Sequence, residues 1–182
     1  IGAPWLDAPA LVADLRAHDP GHVACTGDVS HIGLADEFLV ACAFLDTLGP
    51  REQVSFVPGN HDAYVRSSLD ALASTMRPWC RSDEGAEGFP WLKVREHVAM
   101  IGLSSAVPTG PFMAWGRLGA AQIEKAEVLL HYAGKRGLKR VVLIHHPPHR
   151  GGAKAGRELK DAEAFEAMLG RAGAELVIHG HN

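Results

Sequence analysis

The sequence predicts a layered α/β or α+β domain in which helices flank β-sheets. Short apolar runs alternate with longer segments of helical period, and that alternation is typical of such domains. The chain has 182 residues, of which 47% are hydrophobic and 21% charged. A chain of this length and composition can bury a substantial core, so we expect residues 1–182 to form a single domain.

Five short apolar runs, each bounded by turn residues or charges, predict the strands. They cover residues 23–25, 54–57, 98–103, 141–144 and 176–178. The segments between them predict helices over residues 11–17, 37–48, 67–76, 120–136 and 162–172. In the fourth helix the apolar residues recur at helical spacing and should face a sheet. Residues 77–90 and 107–116 are rich in turn residues and predict surface loops, the second of which is a candidate substrate rim.

The charge balance and the cysteine usage exclude several classes of function. Eighteen Lys and Arg against 21 Asp and Glu give a formal net charge of -3, which offers no general attraction for nucleic acid or an anionic membrane. The three cysteines are an odd number without a CxxC pair, so neither a disulfide framework nor a thiolate zinc site is expected. No apolar stretch is long enough to span a bilayer, and no signal peptide is evident. These observations predict a cytoplasmic protein without membrane partners.

Polar clusters follow four of the five predicted strands. Ligands in α/β sheets gather at the carboxyl ends of strands, so these clusters should converge on one cleft. They contain Asp, Asn and His side chains but no Cys, which suits Mn²⁺, Fe, Zn²⁺ or Co²⁺ in an oxygen and nitrogen site. A carboxylate can bridge two such ions, and a metal pair activates water and neutralises phosphate charge. The clusters are Thr26-Gly27-Asp28, residues 58–62, residues 145–148 and residues 179–182.

Taken in order, these clusters resemble the signature of the calcineurin-like metallophosphoesterase superfamily. The motifs that carry the resemblance are Gly27-Asp28, Gly59-Asn60-His61-Asp62, His145-His146-Pro147 and Gly180-His181. The match runs across nearly the whole chain. Within the superfamily the sequence is most similar to bacterial phosphodiesterases of the class III cyclic-nucleotide type. The resemblance implies a four-layer sandwich of two mixed β-sheets flanked by helices, with two divalent metal ions bound at the strand ends.

The resemblance also implies a role for each matching residue. Asp28 would bridge the two metals, while Asn60, His145 and His181 would complete the shell of the second metal. His61 would stabilise the transition state or protonate the leaving oxygen, and Asp62 would orient His61. A hydroxide between the metals would be the nucleophile. His146 is interpreted as either a substrate-side or a structural residue.

The chain departs from the superfamily pattern at its two ends. It contains no Asp-x-His pair, and it stops at Asn182, one residue before the last histidine of the closing Gly-His-x-His. By analogy, these three groups are the private ligands of the first metal. We therefore expect a domain truncated at both ends and without its first strand, in which the first metal site lacks its ligands and turnover is impaired. An open sheet edge would then favour self-association.

The motifs narrow the substrate to small phosphoesters. The segment after Asp28 lacks the Asp-Arg-Gly of protein phosphatases, and no basic patch with interleaved aromatic residues supports nucleic acid as a partner. A small or cyclic-nucleotide-like phosphodiester is the expected substrate, with Phe112, Met113 and Trp115 as candidates to pack against its base or alcohol. They are equally well explained as anchors of their own loop. The alternative function is a non-catalytic binding or scaffold module with an incomplete metal site.

Overall fold

The structure, a computed structural model, describes residues 8–181 and contains five helices and six strands within that range. In chain order these are α1 (Ala8–Ala17), β1 (Val23–Cys25), α2 (Ala35–Leu48), β2 (Val54–Phe56), α3 (Arg66–Thr75), β3 (Trp91–Arg95), β4 (Val98–Gly102), α4 (Ala120–Lys135), β5 (Lys139–Leu143), α5 (Ala162–Ala172) and β6 (Leu176–Ile178). Short 3₁₀ turns at Arg51–Gln53 and Arg77–Trp79 precede β2 and follow α3. The predictions about the two ends of the chain concern residues 1–7 and 182, which lie outside the described residues.

The strands form two sheets. In the first, β1 pairs with β2 in parallel. In the second the order is β3-β4-β5-β6, with β3 antiparallel to β4 and the other pairs parallel. The second sheet is thus mixed, as predicted, whereas the described part of the first contains parallel strands only.

Two apolar cores stack the elements into four layers. The first core joins α2 and α3 to the first sheet and reaches the inner face of the second through Trp91, Met100 and Leu143. The second core joins the outer face of the second sheet to α4 and α5, with Ile101 and Phe165 fully buried. Successive residues of a strand point to opposite faces, which is why Met100 and Ile101 serve different cores. The predicted layering of helices on both sides of two sheets is confirmed.

Strand β3 is the element that the sequence did not predict. Its side chains alternate in direction: Trp91 and Lys93 are buried, whereas Leu92 and Val94 pack against the core of α4 and α5. A lysine at an inward position interrupts the apolar pattern by which buried strands are recognised. The five predicted strands and five predicted helices are all present, and their ends differ from the predictions by three residues at most.

The parallel strands place the four polar clusters at one edge of the molecule. The loops after β1 and β2 leave the first sheet there, and the loops after β5 and β6 leave the second. Ile144 continues the pairing beyond β5 through a hydrogen bond to Ile178, and the Gly180 amide donates to the carbonyl of His145. These bonds bring the final cluster against the residues that follow β5.

Candidate metal centre

Four side-chain donor atoms meet at the edge where the clusters converge. The Nε2 atom of His145 lies 3.3 Å from Asp28 Oδ2, 3.3 Å from Asn60 Oδ1 and 3.2 Å from His181 Nδ1. Asp28, His145 and His181 form a group whose ligand atoms all lie within 4.8 Å of one another. The structure therefore brings together the four residues that the sequence proposed as metal ligands.

The tautomer of His145 explains why this cluster suits a cation. Its Nδ1 atom lies 2.6 Å from the carbonyl oxygen of Thr26, which can only accept a hydrogen bond. The proton of the neutral ring therefore resides on Nδ1, and Nε2 presents a lone pair to the carboxylate and amide oxygens around it. Lone pairs that face one another repel unless a positive charge lies between them. A carbonyl that fixes a histidine tautomer is a common feature of metal sites.

The electrostatics of the cluster favour a positive charge beside Asp28. Burial alone would raise the pKa of Asp28, but contact with His145 and the backbone amide of His61 lowers it below its ordinary value. Burial opposes the charged form of His145, yet Asp28 raises the pKa of that ring. In His181, burial and the neighbouring His145 lower the pKa, so this ring stays neutral at pH 7. Asp28 thus favours a positive charge at Nε2 of His145, and a divalent metal ion bound there would take the place of that proton.

Glycines allow the two loops of the first sheet to approach the ligands. A Cβ atom on Gly59 would overlap the carboxylate of Asp28 and the ring of His145, and one on Gly27 would overlap the backbone of Gly59. Gly27 also has a φ of +102°, in the region that favours glycine. Both glycines are therefore needed for the carboxylate and the imidazole to lie this close.

Asp62 joins the loops after β1 and β2. Its carboxylate is fully buried and accepts hydrogen bonds from the amides of Asp28, Gly59 and Ser30 and from the Ser30 hydroxyl, at 2.8–3.0 Å. Burial raises its pKa, while the hydrogen bonds from Gly59 and Ser30 favour the charged form. Asp28 has a left-handed backbone with a φ of +58°, and Asp62 holds the amide of that residue. Asp62 thus fixes the bridging candidate Asp28 in position.

His61 lies beside Asp28 and is held by the backbone of His31. Its amide donates to Asp28 Oδ1 at 3.1 Å, and its Nδ1 lies 2.7 Å from the carbonyl oxygen of His31. The rings of His31 and His61 stack with their centroids 5.8 Å apart. We expected Asp62 to orient the His61 ring, but among the described residues the carbonyl of His31 holds it. The Nε2 atom of His61 has no hydrogen-bond partner in residues 8–181 and is left for a ligand.

His146 is a buried residue that packs against the rings of His145 and His181. It is fully buried, its Nδ1 lies 2.7 Å from the hydroxyl of Ser105, and its Nε2 lies 3.1 Å from the carbonyl of Ala114. Burial and the neighbouring rings of His145 and His181 lower its pKa to about 3. Neutral His146 thus ties the 107–116 loop to the ligands. Sequence patterns could not predict the contact between Ser105 and His146, because the two residues are 41 positions apart.

The 107–116 loop stands beside the ligand cluster with apolar side chains at its surface. Phe112 is fully exposed and has a φ of +64°, and Met113 is also exposed. The loop is closed by hydrogen bonds from the Thr109 hydroxyl to the carbonyl of Met113 and from the Ala114 amide to the carbonyl of Gly156. The prediction that this loop is a surface excursion is confirmed.

Comparison with known proteins agrees with the fold and with the cluster of donor atoms. The family model of the calcineurin-like phosphoesterases matches residues 2–182 of the chain. No curated protein matches the chain. None of the helices in the described part of the chain is both long enough and apolar enough to cross a membrane. The chain belongs to the calcineurin-like phosphoesterases, a family of metal-dependent hydrolases of phosphoric esters.

Proposed function

We propose that this chain provides the catalytic site of a hydrolase for small phosphodiesters of the cyclic-nucleotide type. The convergence of Asp28, Asn60 and His181 on the Nε2 atom of His145 is the observation that carries the proposal. When bound at such a site, divalent metal ions activate water and neutralise the charge that develops on phosphate. Mn²⁺, Fe, Zn²⁺ and Co²⁺ all suit the mixed oxygen and nitrogen ligands.

The side chains around the cluster have distinct parts in this proposal. Asp28, Asn60, His145 and His181 would hold the metal, with Asp28 shared between two ions in a dinuclear centre. His61 would act through Nε2, because its Nδ1 already donates to the carbonyl of His31. The ring must be doubly protonated to give a hydrogen bond or a proton from Nε2 to an ester oxygen.

The exposed loop supports the preference for a diester. Ala114 ties this loop to His146, whose ring centroid lies 4.4 Å from that of His181. Phe112 and Met113 directly precede Ala114. Their exposed side chains offer apolar surface to the second alcohol of a diester or to a nucleobase. A phosphomonoester lacks the second alcohol that this apolar surface would contact.

The test is hydrolysis of bis(p-nitrophenyl) phosphate and of p-nitrophenyl phosphate in the presence of Mn²⁺. It is run on the 182-residue chain and on the full-length polypeptide encoded by its gene, each beside an Asn60→Ala variant. Loss of Asn60 should lower the rate by at least ~100-fold, which corresponds to about 2.7 kcal/mol of transition-state stabilisation. A higher kcat/KM for the diester would support the proposed substrate class.

Three outcomes would each contradict a different part of the proposal. A folded full-length polypeptide without activity in any divalent metal would favour the non-catalytic scaffold. Activity that survives both a chelator and Asn60→Ala would place the reaction elsewhere. A preference for the monoester would overturn the diester assignment alone.

Self-association through β1 is also proposed. Among residues 8–181, β1 pairs with β2 alone, so its other edge presents unpaired backbone groups. A concentration-dependent mass in light scattering that Ala24→Pro abolishes would support this. A constant monomer mass would contradict it.

A further inference from the structure

The edge of the molecule opposite the metal centre contains a small basic pocket, which we call the Lys93 pocket. Strand β3 ends there, because Arg95 pairs with Val98 at the start of β4. The candidate metal ligands His145 and His181 follow the carboxyl ends of β5 and β6, which are parallel to β4, so they lie at the opposite edge of the sheet. The pocket has a volume of about 120 Å³. It is lined by Arg51, Glu52, Pro78, Arg81, Ser82, Asp83, Lys93 and Arg95.

Lys93 is a buried cation without a counterion. It is 3% exposed, and its ammonium donates to the carbonyl oxygens of Val54 at 3.0 Å and of Trp79 at 3.3 Å. No carboxylate lies within 4.0 Å of it in the part of the chain that the structure describes. Two carbonyls satisfy two of its three N–H groups and leave one donor. Burial, with the nearby charges of Arg95 and Arg81, lowers its pKa to about 8, so the ammonium is charged at pH 7.

The other charges of the pocket are unevenly paired. The Nη1 atom of Arg95 donates to both carboxylate oxygens of Asp83, and Arg51 forms a two-pronged ion pair with Asp46. Arg81 has no ion pair within 4.0 Å among residues 8–181. Four cationic side chains therefore line the pocket against the two carboxylates of Glu52 and Asp83. A buried ammonium in such surroundings gains stability from an anion that enters and accepts its remaining hydrogen.

We propose that the Lys93 pocket binds a tetrahedral oxyanion such as phosphate, free or as the end group of a small monoester. Its volume equals that of roughly four water molecules, well below the several hundred Å³ of sites for drug-sized ligands. It therefore fits one phosphoryl group, and the rest of a monoester would lie outside the pocket. Arg81 and Lys93 are the binding groups, because Arg51 and Arg95 are already paired with Asp46 and Asp83. The pocket acts independently of the metal centre.

Tryptophan indole resonances offer a direct test, because two of them border this pocket. Arg51 lies 5.0 Å from the ring centroid of Trp79, and the ammonium of Lys93 lies 5.4 Å from that of Trp91. Trp115 belongs to the 107–116 loop at the other edge. In ¹⁵N-labelled protein, addition of inorganic phosphate should shift the Trp79 and Trp91 indole signals with one saturable curve. Glycerol 3-phosphate should do the same if the source of the phosphoryl group is a monoester.

Variants separate the pocket from the metal centre. Arg81→Ala should weaken phosphate binding by at least ~10-fold, and Lys93→Met should abolish it. Lys125→Ala removes the same charge from an exposed position on α4 and should leave the affinity unchanged. Asn60→Ala should likewise leave it unchanged, so failure here is distinct from failure of the proposed hydrolase. Shifts that do not saturate, that persist in Arg81→Ala or that appear at Trp115 alone would overturn the proposal.

Discussion

Asp62 is the residue on which the loops of the first sheet depend most. Each of its two carboxylate oxygens accepts two hydrogen bonds, one pair from Asp28 and Gly59 and the other from the amide and hydroxyl of Ser30. Asp62→Asn would turn an amide N–H₂ group toward one of these pairs, so two donors would face a donor. We expect a loss of about 2–4 kcal/mol in the free energy of unfolding, measured by urea denaturation in the presence of a chelator.

Ser30→Ala is the matched control for that substitution. It removes one of the four hydrogen bonds and leaves the carboxylate with three, so it should cost about 1 kcal/mol. Equal losses in the two variants would mean that Asp62 does not organise the loops.

His22 gives the stability of the protein a pH dependence of known sign. Its Nε2 lies 2.7 Å from the hydroxyl of Ser55, and its Nδ1 is buried without a partner among the described residues. Burial, together with Lys93 and Arg95, lowers the pKa of the folded ring from 6.5 to about 4. Between those values the unfolded chain binds a proton that the folded chain does not, so this contribution to stability is present above pH 6.5 and is lost as pH falls toward 4.

His22→Gln isolates this effect from the carboxylates that titrate in the same range. The difference in unfolding free energy between the wild type and the variant should shrink as pH falls from 6.5 to 4, measured by urea denaturation at several pH values. A difference that stays constant over this range would show that His22 titrates normally in the folded protein.

At the scale of elements, the pairing of β3 with β4 depends on a glycine. Trp91 lies directly opposite Gly102, and a Cβ atom on Gly102 would overlap the indole ring. Because Trp91 is fully buried between the sheets, it has no room to move aside. Gly102→Ala should therefore lower the unfolding free energy by about 1–3 kcal/mol and the midpoint of thermal unfolding with it.

Gly170 in α5 is the matched control for Gly102. A Cβ atom there would meet nothing within 4 Å, and the residue lies inside a helix. Gly170→Ala should raise stability by up to ~1 kcal/mol, because alanine has the higher helix propensity. If both substitutions had the same sign, the packing of Trp91 on Gly102 would not be the cause.

At the scale of the whole molecule, the candidate metal centre joins the two sheets. Asp28 and Asn60 come from loops of the first sheet, and His145 and His181 from loops of the second. An ion held by all four should oppose separation of the sheets. At a free metal concentration 100 times Kd we expect a gain of about 2.7 kcal/mol, measured as the rise of the thermal unfolding midpoint on addition of Mn²⁺ or Zn²⁺.

His181→Ala should remove most of that rise, since one of the two ligands from the second sheet is lost. His179→Ala is the control, because His179 is exposed and its ring nitrogen contacts only the carbonyl of its neighbour Gly180. A rise that is equal in both variants would place the bound metal away from the cluster.

The sequence by itself determined the layered fold and the edge at which the polar clusters meet. Both follow from local pattern: apolar periodicity marks each strand and helix, and the motifs lie directly after strands whose parallel order brings their ends together. Within those clusters, the resemblance to the calcineurin-like phosphoesterases proposed Asp28, Asn60, His145 and His181 as metal ligands before their distances were known.

Only the tertiary structure decided what surrounds those donors. The carbonyl of Thr26 that sets the tautomer of His145 is 119 residues away along the chain, and Ser105 is 41 residues from His146. Lys93 interrupts the apolar pattern of its strand, and its hydrogen bonds lead to carbonyls 39 and 14 residues distant. Such contacts depend on how sheets and loops pack, and no local pattern encodes them. That is why β3, the Lys93 pocket and the role of Asp62 as the link between two loops emerged from the structure alone.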